Sequence, residues 1–439
     1  MIETIKIKKG LDIPLGGAPE RHIVDARSTE RYGVKPPDVV GFTPRLLVAE
    51  GDSVSAGQPV VADKNDPRLT LPSPVDGVVE AIVRGEKRKL MEIVVGRTAP
   101  GVSVVHDAAP GVLDAASPCW WMIKERPFGA VANPDHKPKG IFVSMRDTNP
   151  LAPDMDLALK GREHEFEAGV NALSAYAEVH CVKATGPHPA GNIGTIVAAI
   201  SPINKGEYVW AVNAQDVATI GRWMLTGEYR PERVISVGGP AAKAPQHYRV
   251  LCGANVQRIC DVQLMDPCYP QLPTANNQLP TRIISGSVLS GTAIKADGFL
   301  GMYDQQLTFV EEGDQYDFMG WLMPGFKKFS FSKTFLSGFA RLLPTTHYPL
   351  PTQFNTNMHG SVRPFLFTGS FERVFPFDIY PLQLIKACIV GDVELQEKLG
   401  IYEVEPEDFA LCEFIDPSKT EIQTIIREAL EVLRKEAMA

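Results

Sequence analysis

Gly140-Ile-Phe-Val-Ser-Met145 is an apolar run closed by a polar loop, Arg146-Asp-Thr-Asn-Pro-Leu151, and the elements on either side of it decide the fold. A helix is predicted over about Arg162 to Tyr176, then a second short strand, Val179-His-Cys-Val-Lys183. Next comes Gly186-Pro-His-Pro-Ala-Gly-Asn192, too rich in Gly and Pro to be helix or strand. Strand, crossover helix and strand in this order predict a βαβ unit and a parallel sheet. Ligands gather beyond the C-terminal strand ends of such sheets, and both polar loops, 146–151 and 184–192, leave from those ends. Working outward, Lys205–Val212 and Arg233–Val237 read as further strands of the same unit. Asn213 caps the helix between them, with Asp216 placed as in a capping box. Val217, Ile220, Met224 and Leu225 share one face of that helix, and Gly227 ends it.

A chain of 439 residues is too long for one ordinary domain and fits about three. Its 44% hydrophobic and 22% charged content is that of a globular protein. The net charge of −8 gives no general attraction to nucleic acid or anionic lipid. The N-terminus, Met1-Ile-Glu-Thr-Ile-Lys-Ile-Lys-Lys9, alternates like a strand and does not read as a signal peptide. No apolar run approaches the ~20 residues that span a bilayer, Ile193–Ile203 being about half that length. Seven cysteines, an odd number spread along the chain, form no disulfide framework, and a reducing cytoplasm fits them. Cys252, Cys260 and Cys268 have no tight metal-ligand spacing and read as structural.

In the N-terminal part, Leu46–Val61 and Leu71–Ile82 are two strand pairs with turns at Gly51, Gly57 and Gly77. This pattern resembles the biotinyl/lipoyl carrier domain, a small flattened β-barrel of hammerhead type. The carriers' modified Lys stands in a Met-Lys-Met type sequence that is missing here. The nearest candidate is Lys64, carrying an attached arm or forming part of an unmodified structural hairpin. The basic turn Arg84-Gly-Glu-Lys-Arg-Lys89 meets a partner or a phosphate, or is a solvated hairpin tip. Cys119-Trp-Trp-Met122 reads as a short helix at a core or domain interface.

Beyond residue 245, Arg282–Gly291 and Gly301–Glu312 alternate like strands. Trp321–Ser361 is aromatic-rich and irregular, a type of segment that is functional or partner-bound, and it is expected to dock onto a partner, the alternative being a self-packed loop. Helices then dominate. Leu382–Val390 precedes Gly391, Asp392 caps a helix closed by Gly400, and Ser418 with Glu421 reads as a capping box for a last amphipathic helix.

Asp147-Thr-Asn-Pro-Leu-Ala152, Gly186-Pro-His-Pro-Ala-Gly191 with Gly194-Thr195, and Phe335-Leu-Ser337 resemble the NqrA family, a component of the bacterial sodium-translocating NADH:quinone oxidoreductase. The likeness covers essentially the whole chain. It implies relatives in the RnfC family of the ion-motive ferredoxin:NAD oxidoreductase and, more distantly, in the NADH-oxidising flavoprotein of complex I. It also implies a multidomain α+β fold. A biotinyl/lipoyl-like hammerhead domain takes residues 1–100 and a Rossmann-like α/β domain 101–245. A ubiquitin-like β-grasp (SLBB-like) domain takes 246–315, and the irregular aromatic-rich segment 316–375. Residues 376–439 form a C-terminal helical domain with a vestigial iron–sulfur fold.

The loop after the first central strand has no glycine or glutamate, and no Gly-x-Gly-x-x-Gly follows a strand, so flavin and NADH sites are read as lost. The bacterial cluster run is Cys-x2-Cys-x2-Cys-x3-Cys-Pro. Here Cys412 and Pro417 keep their places, while Pro406, Phe409 and Asp416 stand where cysteines would. One thiolate cannot hold a four-iron cluster. The resemblance therefore implies a peripheral subunit on the cytoplasmic face of the bacterial inner membrane, with no redox cofactor of its own. The complex uses FAD, FMN, riboflavin, a 2Fe-2S centre, NADH and quinone, and its other subunits, in a set of six, are the partners. Quinone-binding candidates are Asp147, Asn149, His188 and Asn192, which line the predicted cleft. His188, with an ordinary pKa of ~6.5, either donates to a quinone carbonyl or bonds a backbone carbonyl and shapes the loop. The alternatives are an electron carrier of the ferredoxin:NAD type and a carrier or scaffold module built on Lys64.

Overall fold

In the computed structural model the strand–helix–strand order around residue 140 is present. The structure describes residues 2–26, 29–98, 112–264, 280–314, 319–320, 322, 324–325, 328–332, 335–337, 354–366 and 369–438. Strands Ile141–Ser144, Val179–Thr185 and Val209–Asn213 are parallel, with Ile141–Ser144 in the middle. The chain leaves Ile141–Ser144 toward one side and returns on the other, which puts a topological switch point between Ile141–Ser144 and Val209–Asn213. The strand expected from Lys205 begins four residues later, because 204–207 form a turn closed by the Glu207 N–H on the Asn204 carbonyl.

Helices Glu163–Leu173 and Ala214–Thr226 cover one face of this sheet. They meet through Gly169 and Gly221: a Cβ on either would collide with a carbonyl of the facing helix, that of Val217 or Glu165. Asn213 caps the second helix by accepting the Gln215 N–H, and Gly227 closes it with φ +68°. Val217 and Ile220 are buried as expected, but Leu225 is 43% exposed. Trp120 and Trp121 lie in the core. Trp120 meets Trp210 edge-on at 5.5 Å, and its indole N–H donates to the Ala132 carbonyl.

Two expectations about strand membership change. Strand Glu232–Gly238, read as part of the α/β unit, belongs to a second six-stranded sheet, beside Gln246–Leu251 and Gln306–Glu311. Alternation along the chain identifies a strand but not its neighbours. The N-terminal residues also leave the small β module. Ile2–Lys6 adds a parallel edge strand to the α/β sheet, and Glu20–Asp25 pairs with Gln246–Leu251. The module itself has a four-stranded sheet running from Arg31–Val34 to Ser53–Val54 and a three-stranded sheet of Pro44–Leu46, Pro59–Asp63 and Thr70–Pro72. Lys64 is exposed in the turn after Pro59–Asp63.

The C-terminal helices have their own apolar core around Phe371, Phe375, Phe409, Ile426 and Leu430. The last helix, Ile422–Met438, starts differently from the expected Ser418 cap. The Glu413 carboxylate accepts the Gln423 N–H, while the Ser418 hydroxyl accepts that of Leu366. The expected docking segment, 321–361, lies largely outside the described residues. Its described aromatics turn toward the chain itself: Phe329 lies 5.9 Å from Phe414, and Arg373 sits 4.5 Å over Phe331. Cys268 also lies outside the described residues. Cys252 and Cys260 are buried, and burial pushes their thiols up to about 11 and about 12. Among the described residues no helix is long and apolar enough to cross a membrane.

Candidate functional site

The C-terminal ends of the central strands open into a cavity of about 280 Å³. Ser144, Asp147 and Asn149 reach it from the first strand, Gly191 and Asn192 from the second, and Asn213 and Asp216 from the third. Three other parts of the chain complete the wall: Lys124 and Arg126 from an antiparallel strand of the same sheet, Tyr303 and Asp304 from the second sheet, and Glu405 and Glu407 from the C-terminal part. The site is therefore a meeting point of three units.

Of the expected site residues, Asp147, Asn149 and Asn192 line this cavity and His188 does not. Asp147 accepts the backbone and side-chain N–H groups of Asn149, and burial pushes its carboxyl above the ordinary range. His188 is 1% exposed and welds two loops to the N-terminal segment. Its Nδ1 lies 3.3 Å from the Thr148 hydroxyl, its backbone N–H donates to Asp12, and its carbonyl accepts the Leu11 N–H. Burial lowers its pKa to about 4, so near neutral pH the ring is uncharged and the expected value of ~6.5 does not hold. Its contacts are those of a residue that shapes the loop. The two loops also meet directly. Ser144 Oγ donates to the Gly191 carbonyl, the Gly191 N–H donates to Thr148 Oγ1, and a Cβ on Gly191 would collide with the Arg146 carbonyl. Asn192 starts helix Ile193–Ile200 without capping it, and neither side-chain polar atom has a hydrogen-bond partner. Each such atom costs about 1–3 kcal/mol.

The sequence reading missed the charged frame. Arg126, 2% exposed, donates to Asp408 at 3.0 Å and to the Glu403 carbonyl at 3.2 Å, which ties the α/β sheet to the C-terminal part. Asp408 lies against Gly194, where a Cβ would collide with its carboxylate. Arg233, 1% exposed, donates to Asp216 at 2.5 Å and to the Met302 carbonyl at 2.8 Å, which ties the second sheet to the α/β unit. Lys124 stands 3.6 Å over the Tyr303 ring, and burial lowers its pKa. The acidic wall has a signal in the sequence, Glu405-Pro-Glu-Asp408, three carboxylates in four residues.

Glu407 is an exposed residue of the cavity wall whose carboxyl is only partly solvated. Burial first, then Asp147, Asp408 and Glu405, push it up to about 7, with Lys124 opposing. A folded-state pKa above the unfolded ~4.3 means that the folded protein holds a proton the unfolded chain has lost. This group's contribution is therefore full below that unfolded value and fades as pH rises toward 7. Glu407→Gln is expected to flatten the fall in melting temperature between pH 5 and 7.5 and to stabilise the protein at pH 8. Melting curves of the two proteins across that range test this, and parallel profiles would sink it.

An excess of carboxylates at the cavity disfavours a phosphate, so the nucleotide end of a flavin or NADH does not fit it. A four-iron cluster does not fit the C-terminal motif either. Phe409 packs on Phe375 at 4.8 Å, and Asp416 accepts the N–H groups of Ser418 and Thr420. Cys412 is buried, and burial raises its thiol pKa.

These features define the class: a multidomain α+β protein with a small two-sheet β module beside an α/β unit, and a polar cavity where the parallel sheet changes direction. Two family models match the chain. They are the NqrA N-terminal barrel-sandwich hybrid domain, over residues 5–98, and the NqrA second alpha/beta domain, over residues 113–185 and 175–229. The NqrA protein of the Na(+)-translocating NADH-quinone reductase of Rhodopirellula baltica is 34% identical, with 98% of each chain covered. That of Pseudomonas aeruginosa is 36% identical over 98% of this chain and 100% of its own. The chain belongs to the NqrA family of Na(+)-translocating NADH-quinone reductase subunits. Among solved structures, the NAD+-reducing [NiFe]-hydrogenase in the air-oxidized state aligns with a TM-score of 0.31 and 11% identity over 68% of this chain and 57% of that one.

Proposed function

We propose that this chain works as one of the subunits of a sodium-translocating NADH:quinone reductase. It sits peripherally on the cytoplasmic face of the membrane, in a complex of six subunits. The observation that carries this is the likeness to curated NqrA proteins along 98% of the chain. The FAD, FMN, riboflavin and 2Fe-2S centres belong to the partner subunits. The acidic cavity and the phenyl ring of Phe409 in a ligand position support that division. Residues 246–315 are read as the ubiquitin-like β-grasp module, and the C-terminal helices as a cluster domain without its metal. The aromatic-rich segment 321–361 is read as docking onto the membrane subunits.

A quinone headgroup is uncharged and fits a polar cavity better than a phosphate does. In this reading Asp147, Asn149 and Asn192 form its wall, and His188 holds the loop that carries Asn192. Deletion of the gene is expected to abolish sodium-stimulated quinone reduction by membranes, and unchanged activity would remove the chain from the complex. The visible spectrum of the purified polypeptide tests the division of cofactors. Flavin or iron–sulfur absorption in stoichiometric amount would overturn it.

A further inference from the structure

The tip of the hairpin formed by Gly77–Arg84 and Leu90–Arg97 stands apart from the cavity and from the ion pairs that frame it. Every residue from Val83 to Lys89 is exposed. Four of them, Arg84, Lys87, Arg88 and Lys89, are basic, and Glu86 is the one acid among them. This concentration stands on a chain whose net charge is −8. Two apolar side chains flank it, Val83 at 43% and Met91 at 39% exposure. Strand pairing sets Val83 opposite Glu92 and Arg84 opposite Leu90, so both apolar groups lie at the base of the basic turn.

The backbone adds an independent observation. Lys87 and Arg88 both have positive φ, at 52° and 59°. A turn with two such residues in succession favours Asn-Gly, and each L side chain there costs about 1–2 kcal/mol. Two long basic residues therefore occupy positions where the turn would be more stable without them. Strain of this kind points to a use for the side chains that cause it.

We propose that this hairpin tip docks on the anionic surface of a lipid bilayer, its basic side chains on the headgroups. Four basic side chains clustered on an exposed convex tip are complementary to the negative field of an anionic bilayer, where each is worth about 1 kcal/mol near the surface. A protein partner would need about 800 Å² of matching face, far more than one convex turn presents. The inference does not depend on membership in the reductase complex, since it concerns the isolated chain.

The test is flotation of the full chain with vesicles of phosphatidylethanolamine and phosphatidylglycerol, against phosphatidylcholine vesicles, in about 0.05 and about 0.5 M NaCl. Binding is expected on the anionic vesicles alone and is lost at high salt. K87N/R88G separates docking from folding, because Asn-Gly suits the turn. Its melting temperature is expected to rise while vesicle affinity falls about tenfold or more. Failure of the wild-type chain to float, equal affinity of K87N/R88G, or tighter binding to polyglutamate than to the anionic vesicles would each overturn the proposal.

Discussion

Arg233→Met is expected to destabilise the protein by about 3–5 kcal/mol, because it leaves the Asp216 carboxylate buried and unpaired. The two residues are 1% and 3% exposed, so the lost guanidinium is poorly replaced. Burial opposes the charge on Arg233, but Asp216, Cys252 and Asp304 together outweigh it and raise its pKa. The pair joins helix Ala214–Thr226 to strand Glu232–Gly238, and so joins the α/β unit to the second sheet. Next to it, the Gln215 side chain accepts the Val234 N–H and donates to the Val234 carbonyl, a link the variant keeps. Because the cost is that of a stranded charge, D216L/R233M is expected to recover most of it. Denaturant unfolding of the single and double variants decides the matter. A single variant within about 1 kcal/mol of wild type would show that the pair holds nothing together.

Arg126→Met is expected to cost about as much, about 3–5 kcal/mol, but to act on a different boundary. Arg126 faces Asp408 at 3.0 Å and Glu405 at 3.7 Å, with Glu407 and Asp147 nearby. Without the guanidinium those carboxylates repel one another in a poorly solvated space. Burial already pushes Asp408 up even with Arg126 opposing it. The C-terminal part should then loosen from the α/β sheet before the rest unfolds. Hydrogen exchange is expected to speed up in 401–415 and 193–200, where Asp408 meets Gly194, and less so at pH 5, where the carboxyls are closer to neutral. Unchanged exchange in both stretches would mean that apolar contacts hold the boundary without the ion pair. Since Arg126, Asp147 and Glu407 all line the cavity, the variant also tests whether the cavity depends on this clamp.

Local signals were legible wherever one stretch of chain carries its own explanation. Gly140–Met145 and Val179–Lys183 were readable as strands because their apolar runs are bounded by turn residues. The end of helix Ala214–Thr226 was readable because Gly227 supplies the left-handed conformation that closes it. Asp147, Asn149 and Asn192 were readable as cavity residues because a parallel sheet places its loops at one end. His188 was legible as a loop residue but not as a neutral one, since its pKa follows from burial that no local pattern records. Asp216 was placed correctly on its helix and given the wrong partner. A capping box is an interaction within one turn, whereas Arg233 reaches Asp216 from another sheet.

The order of elements, the family and the lack of cysteines at three cluster positions are thus properties of the sequence itself, since each depends on residues near one another in the chain or on identity at a single position. Which sheet receives Ile2–Lys6 and Glu232–Gly238, and the assembly of a charged cavity from residues as distant as Lys124 and Glu407, were decided only in three dimensions. Strand partners and buried ion pairs are chosen by whatever the fold brings alongside, and in a poorly solvated interior that choice sets both the charge state and the strength of each contact.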